Sequence, residues 1–328
     1  MATQTPQSSQ AETKPETIRI ATRQSKLAQM QAHLVGKALQ KAHPDFDYEL
    51  VFVTTSGDKF MGNLALVGGK QAFVKEIQHA LLNGEADMAA HSMKDLPTDV
   101  TENLEVPAVL PRADMRDAVI CRKGETFAAL KEGSVVGTSS VRRQAQVLSN
   151  FSHLQVQPVR GNVHTRLEKL ENGEYDALVL AKAGLDRVEL SHKISTVFEP
   201  DIMCPSVSQG AICVEIRSDN TRARALLEKI DHTPTRRCVE TERTFLDHLG
   251  GHCHTPIGGF VQITGNDNLR LIGLVASLDG TKVLRTRHKY PYEDWQTLAK
   301  VAADDLMAQG AAALIAQTEL QEDMLPPN

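Results

Sequence analysis

Residues 89–99 read AAHSMKDLPTD. The stretch closes an apolar run, Ala86 to Ala90, that suits a buried strand, and then sets His91, Ser92, Lys94 and Asp95 at its downstream end, just ahead of Pro97. Four polar side chains exceed what a plain turn requires. In open α/β sheets ligands sit at the carboxyl ends of the strands, so this stretch names both a fold class and the rim of the sheet to search.

Working outward, Ile18 to Ala21 reads as a strand and is followed from about Ser25 by a helix with apolar positions Leu27, Met30, Leu34, Val35, Ala38 and Leu39. Tyr48 to Thr54 is a strand, and Phe73 to Leu82 a helix closed by Gly84. The alternation resumes beyond Pro111. Strands are expected at Ala118 to Cys121, Val135 to Gly137, Gln155 to Val159 and Ala177 to Leu180, with helices at Ser140 to Leu148, Val163 to Leu170 and Ala183 to Val188. Two α/β units follow, each with a mostly parallel sheet.

The polar clusters then fall into place. Arg23/Ser25, His91 to Asp95, Thr138-Ser139-Ser140 with Arg142-Arg143, and Arg160-Gly161-Asn162 all follow expected strands, and so belong on one rim. Ser140 taken alone reads equally well as a helix N-cap, and any single arginine as a solvated side chain. Four such turns, each adding an arginine or lysine near helix N-termini, point to a cleft for a ligand with several carboxylates or phosphates. Asp95 is the acid/base candidate within it; the alternative is a turn aspartate ahead of Leu96-Pro97.

Past Val207-Ser208-Gln209-Gly210, the strand Ala211 to Ile216 has no place in the second unit and is expected to cross back to the first. From about Thr233 the pattern becomes a helix, the loop Gly250-Gly251-His252-Cys253-His254, three strands with turns at Gly265-Asn266 and Asp279-Gly280, and a terminal helix through Leu314. Glycines around Cys253 expose its thiol, which is either an inert loop cysteine or a covalent attachment point. A metal site is disfavoured, because three adjacent loop residues rarely converge on one ion. Gly68-Gly69-Lys70 is no phosphate loop, since Leu64 and Gln71 stand where that motif needs glycine and Ser/Thr; Lys70 either binds an anion or is solvated.

Composition narrows the class. At 328 residues and 41% hydrophobic content the chain divides into two or three domains. A formal charge of −5 excludes a global basic surface for nucleic acid. No window approaches the ~18 uninterrupted apolar residues of a membrane span. The polar stretch 1–16 reads as a disordered tail and not a signal peptide. Five cysteines, widely spaced and without a CxxC pair, argue against a disulfide framework and for a reducing cytoplasm.

RIATRQSKLA (19–28), GGKQAFVKE (68–76), HSMKDLP (91–97), VGTSSVRRQAQ (136–146), RGNVHTRLEKLENGEYDALVLAKAGLDR (160–187) and the Cys253 loop occur in the order found in the porphobilinogen deaminase (hydroxymethylbilane synthase) family, which the chain resembles over about residues 17–320. Leu66, Gln71-Ala72 and Ser208 depart from the family's usual residues. The resemblance implies two periplasmic-binding-protein-like α/β lobes with a cleft between them, plus a small α+β C-terminal domain. The expected boundaries are a tail at 1–16, lobe 1 at 17–110 plus 211–230, lobe 2 at 111–210 with hinge segments at both ends, a cofactor-carrying domain at 233–320, and a tail at 321–328.

The resemblance further implies head-to-tail condensation of four porphobilinogen molecules into hydroxymethylbilane with loss of ammonia, in haem biosynthesis, by a cytoplasmic monomer without metal, nucleic acid or membrane partners. Cys253 would carry a dipyrromethane cofactor through a thioether. Asp95 would assist ammonia loss and stabilise the cationic azafulvene. Arg23, Arg142, Arg143, Arg160, Arg166 and Arg187 would bind acetate and propionate groups, helped by Ser25, Lys70, Ser92, Lys94, Thr138, Ser139, Ser140 and Asn162, with Gln209 at the moving hinge. Bidentate guanidinium–carboxylate pairing would explain an arginine cleft in an acidic protein. Two other classes fit the same cleft: a binding protein without catalysis, and a cysteine transferase with a transient adduct.

Overall fold

The computed structural model describes residues 17–59, 72–251, 255–265 and 267–323. Leu66, the Gly68-Gly69-Lys70 segment, Gln71 and Cys253 lie outside the described residues, as do the stretch 1–16 and Asn266.

The chain opens with β1 (Ile18–Arg23), α1 (Lys26–Ala42), β2 (Tyr48–Val53), the short α2 (Ser56–Lys59), α3 (Lys75–Leu82), β3 (Met88–Ser92) and β4 (Leu104–Val109). Ser25 caps α1, accepting from the Ala28 N–H, and the helix turns Ala28, Ala32, Val35 and Leu39 onto the sheet. Fully burying a side chain such as Val35 or Leu39 stabilises the fold by roughly 1.5–3 kcal/mol. Lobe 2 follows with β5 (Asp117–Cys121), β6 (Val135–Gly137), α4 (Val141–Asn150), β7 (Gln155–Gln157), α5 (Val163–Glu171), β8 (Ala177–Ala181), α6 (Lys182–Arg187) and β9 (Thr196–Val197). The chain then returns through β10 (Ile212–Arg217) and α7 (Thr221–Glu228).

Among the described residues the first sheet runs β2-β1-β3-β10-β4 and the second β7-β6-β8-β5-β9. In each sheet four of the five strands run in one direction, as expected, and one strand, β10 in the first and β5 in the second, runs against them. In the first, β1 runs parallel to β2 and β3, while β10 runs antiparallel to β3 and β4. In the second, β6 runs parallel to β7 and β8, while β5 runs antiparallel to β8 and β9. The reason lies in the crossovers: β10 starts opposite the end of β3 (Ile212 beside Ser92), and β5 starts opposite the end of β8 (Asp117 beside Ala181). Each strand entering from the other lobe begins at the rim and must run back from it. Both inter-lobe segments are thereby brought to the cleft.

The third unit comprises α8 (Thr233–His248), β11 (Ile257–Thr264), β12 (Asn268–Ala276), β13 (Val283–Pro291), α9 (Trp295–Ala308) and α10 (Ala311–Asp323). Its strands form an antiparallel meander with α8 and α9 packed on one face around Phe245, Leu269, Leu271, Leu298 and Leu306. Gly273 admits the Phe245 ring, for a Cβ there would lie 2.6 Å from it. The expected single terminal helix is two, broken at Gly310, whose φ of 99° lies in the left-handed region. The other face of the meander meets lobe 2 through Phe260, Ile272 and Leu274 against Ala145 of α4 and Cys204. Val239 of α8 joins Val74, Met93, Leu96 and Val109 of lobe 1. The third unit thus touches both lobes.

Candidate active site

A cavity of about 750 Å³ opens between the lobes. Lobe 1 lines it with Arg23, Ser25, Gln31, Asp58, Phe73, Ser92, Lys94 and Asp95; lobe 2 adds Arg143, Arg160, Asn162, Arg166 and Arg187. Its size is that of a small-molecule site, and the ends of β1, β3 and β8 form its walls, as strand ends do in α/β clefts.

Asp95 ends a single 3₁₀ turn, Met93–Asp95, that follows β3 directly. The turn is pinned where the Met93 N–H donates to the Ala211 carbonyl at 3.0 Å and Met93 itself is buried. Beside it, Gln31 Nε2 donates to Ser92 Oγ at 2.7 Å, and Lys94 Nζ lies 3.3 Å from Gln209 Oε1. Arg23 is held by Asp58 through Nε and Nη2, and its guanidinium lies 4.2 Å from the centre of the Phe73 ring. His91 points away from the cleft into a buried contact with Glu215, with Nε2 3.1 Å from Oε2.

The arginines of lobe 2 divide in two groups. Arg142 and Arg143, 4% and 7% exposed, share the fully buried Asp117. Arg142 also donates to the Cys204 carbonyl and does not line the cavity; Arg143 does. Arg160, Arg166 and Arg187 face the cavity without a carboxylate partner among the described residues. Arg166 Nε donates to the Gly161 carbonyl at 2.8 Å, and Arg187 Nη2 to the Gly210 carbonyl at 2.7 Å. Gly161, with φ 108°, lets this turn close on Thr165, whose Cβ would be 2.7 Å from an added methyl. Asn162 caps α5 by accepting from the Thr165 N–H.

The electrostatics follow from that division. Burial lowers the pKa of Arg160. Burial, reinforced by the neighbouring charges of Arg143 and Arg160, pushes Arg166 down to about 10, and burial takes Arg187 to about 10. All three stay cationic at neutral pH but in an environment that disfavours the charge. An anion placed among them relieves that penalty.

Thr138, Ser139 and Ser140 do not line the cavity. Ser139 Oγ donates to the Val159 carbonyl at 2.6 Å, Thr138 Oγ1 accepts from the Ser140 N–H, and Ser140 is the N-cap residue of α4. The Thr138 and Ser139 hydroxyls are spent on the turn that carries Arg142 and Arg143, while Ser140 enters that turn through its backbone N–H. Gln209, fully buried, reaches both lobes: Nε2 donates to Asp117 and to the Met115 carbonyl, and Oε1 meets Lys94 and Arg143. Sequence reasoning missed Gln31, Phe73 and Asp117. Asp117 left a trace, being a charged residue at the head of an apolar strand; Gln31 is a polar residue on the buried face of α1.

Among the described residues no His/Cys/Asp/Glu group is arranged for a metal ion, and no helix is long and apolar enough to cross a membrane. Residues 18–225 match the family model "Porphobilinogen deaminase, dipyromethane cofactor binding domain", and residues 236–308 match "Porphobilinogen deaminase, C-terminal domain". The chain is 43% identical to the porphobilinogen deaminase of Bordetella parapertussis, over 92% of this chain and 96% of that one. It is 41% identical to that of Legionella pneumophila, over 91% and 97%. Among solved structures it resembles the methionine-binding protein MetQ, with a TM-score of 0.43 and 13% identity over 70% of this chain and 91% of that one. On the family models and these relatives, the chain belongs to the porphobilinogen deaminase family, transferases of tetrapyrrole biosynthesis with a dipyrromethane cofactor.

Proposed function

We propose that the chain condenses four porphobilinogen molecules head to tail into hydroxymethylbilane, releasing one ammonia at each addition, on a primer linked to Cys253. The observation that carries the reading is that Arg160, Arg166 and Arg187, without carboxylate partners among the described residues, line the same cleft as Asp95. Dipyrromethane carries carboxylates on each ring, and Arg160, Arg166 and Arg187, with Arg143, are the cations to hold them. Bound there, the cofactor supplies a nucleophilic pyrrole carbon as the start of the chain.

The protein's residues divide the remaining work. Asp58 takes Nε and Nη2 of Arg23, leaving Nη1 for a ligand carboxylate. Ser25, Ser92, Lys94 and Asn162 add hydrogen-bond donors around it. Asp95 sets a carboxylate against the positive charge that develops on the substrate as ammonia departs, and accepts from a pyrrole N–H. Fixed before the reaction by its turn, it loses little to reorganisation. Asp117, the Val179 carbonyl and Gln209 hold Arg143 from below, and Arg142, Thr138, Ser139 and Ser140 stand off the cavity and shape the start of α4 instead of binding the ligand.

Attachment to Cys253 is supported by the state of the other four thiols. Cys121, Cys204, Cys213 and Cys238 are free and buried. Burial pushes Cys121 up to about 11 and the other three up to about 12, so none is a thiolate at neutral pH. These four free thiols also suit a reducing cytoplasm.

The test is Asp95→Asn. A turn aspartate is replaced by asparagine at little cost, whereas loss of a preorganised charge should lower hydroxymethylbilane formation by roughly a hundredfold, about 3 kcal/mol. Intact mass on the same sample must show the two-pyrrole adduct, which Cys253→Ser should lack. A folded, cofactor-loaded asparagine variant with near-normal turnover would remove Asp95 from the mechanism.

A further inference from the structure

The turn bearing Asp95 leaves through Leu96-Pro97, and proline has no N–H with which to anchor this exit. The anchor comes instead from the third unit. Arg243 of α8 donates from Nη1 to the Leu96 carbonyl at 3.0 Å and from Nη2 to the Pro97 carbonyl. One planar fork thus fixes two successive carbonyls, a geometry that lysine cannot copy. Burial lowers the pKa of Arg243, so its charge is kept at a cost that these contacts offset. One turn earlier on α8, Val239 packs against Met93 and Leu96. The helix ends at His248, a few residues before Cys253.

We propose that Arg243 is a positioning residue for the deaminase reaction: it holds the exit of the Met93–Asp95 turn and so sets the Asp95 carboxylate in register with whatever the third unit carries into the cleft. The inference rests on Asp95 acting as proposed above. Arg243 touches no reacting atom. Its effect reaches catalysis through the backbone of residues 96 and 97, and a displacement near 1 Å at a reacting carboxylate is enough to cost about a hundredfold in rate.

The experiment is a double-mutant cycle on the full-length, cofactor-loaded protein, with Arg243→Met, Asp95→Asn and the double variant. The readouts are kcat and KM for porphobilinogen, intact mass and thermal unfolding. Arg243→Met should lower kcat by roughly 10- to 100-fold with KM changed less than about threefold and normal cofactor mass. In the Asp95→Asn background it should cost less than about threefold more, because the group it positions is already gone. Arg243→Lys should recover part of the loss, and guanidinium ion added to Arg243→Ala should recover kcat; these two arms serve if the methionine variant does not fold. A purely structural arginine would lower the unfolding temperature and leave kcat of the folded fraction intact, which would overturn the inference. Fully additive losses would overturn it too, since Arg243 would then act independently of Asp95. Asp95→Asn with normal turnover is a distinct outcome: it sinks the catalytic reading of Asp95, and this inference falls with it.

Discussion

Asp117→Asn should release the arginine shelf of the cleft from below. The Asp117 carboxylate is fully buried and accepts from Arg142 Nη1 at 2.8 Å, Arg143 Nε and Nη2 at 3.0 and 2.7 Å, and Gln209 Nε2 at 2.9 Å. Burial pushes its pKa up, but the charges of Arg142 and Arg143 outweigh burial and hold it far below the usual carboxylate range. Asparagine keeps the volume, yet sets an amide NH₂ against groups that only donate, and leaves two buried guanidiniums without their counter-charge. Removing one partner of such a pair costs about 3–5 kcal/mol. With a urea slope of about 2 kcal/mol/M, the midpoint for lobe 2 should fall by roughly 1.5–2.5 M. Hydrogen exchange in peptides spanning 117–121 and 141–150 reads this lobe separately, as a chain of several units need not unfold in one step. The sign of the pH dependence is fixed: a carboxylate with a depressed folded pKa contributes its stability above the unfolded value near 4 and loses it as pH falls toward the folded value. The gap between wild type and variant should therefore narrow by roughly 1.4 kcal/mol per pH unit below about pH 4. A midpoint shift under about 0.5 M, or a gap unchanged between pH 6 and pH 3, would refute the reasoning.

Arg160→Gln should leave stability within about 0.5 kcal/mol yet weaken substrate or cofactor carboxylate binding by roughly tenfold, whereas Arg142→Gln should do the reverse and cost stability; the opposite pattern in KM and unfolding would overturn the division drawn between them. Ser208 stands at φ 60° with its Oγ buried and unpartnered among the described residues, so Ser208→Gly should stabilise the protein by about 1 kcal/mol, and a lower unfolding temperature would contradict that. Alkylation of the native, cofactor-loaded protein at pH 7.5 should leave Cys121, Cys204, Cys213 and Cys238 unlabelled, and mass mapping of any of them as the fastest site would count against inert buried thiols.

Much of this protein is decided locally. Apolar runs ended by polar turns place β1, β3, β6 and β8, and helix N-cap residues such as Ser25 and Asn162 place α1 and α5, because strand and helix patterns have short periods that neighbouring residues express by themselves. The motifs at the ends of those strands share one rim because β1 pairs parallel with β3 and β6 with β8. Other features belong to pairings across long separations. Strand direction at the crossovers depends on where the chain re-enters each sheet, and an apolar run such as Ala211 to Ile216 carries no sign of direction. Arg142 and Arg143 are adjacent in sequence, but about 100° of helix rotation parts them, so one lines the cavity and the other lies beneath it. Which is which is settled by Asp117, reached from another strand. The hold of Arg243 on Leu96 and Pro97 is likewise invisible in either segment alone, since its energy exists only when a helix of the third unit meets the turn of the first. Sequence therefore determined which turns stand at the cleft; tertiary packing decided which of their side chains line it, which charges are spent on one another and which are left for a ligand.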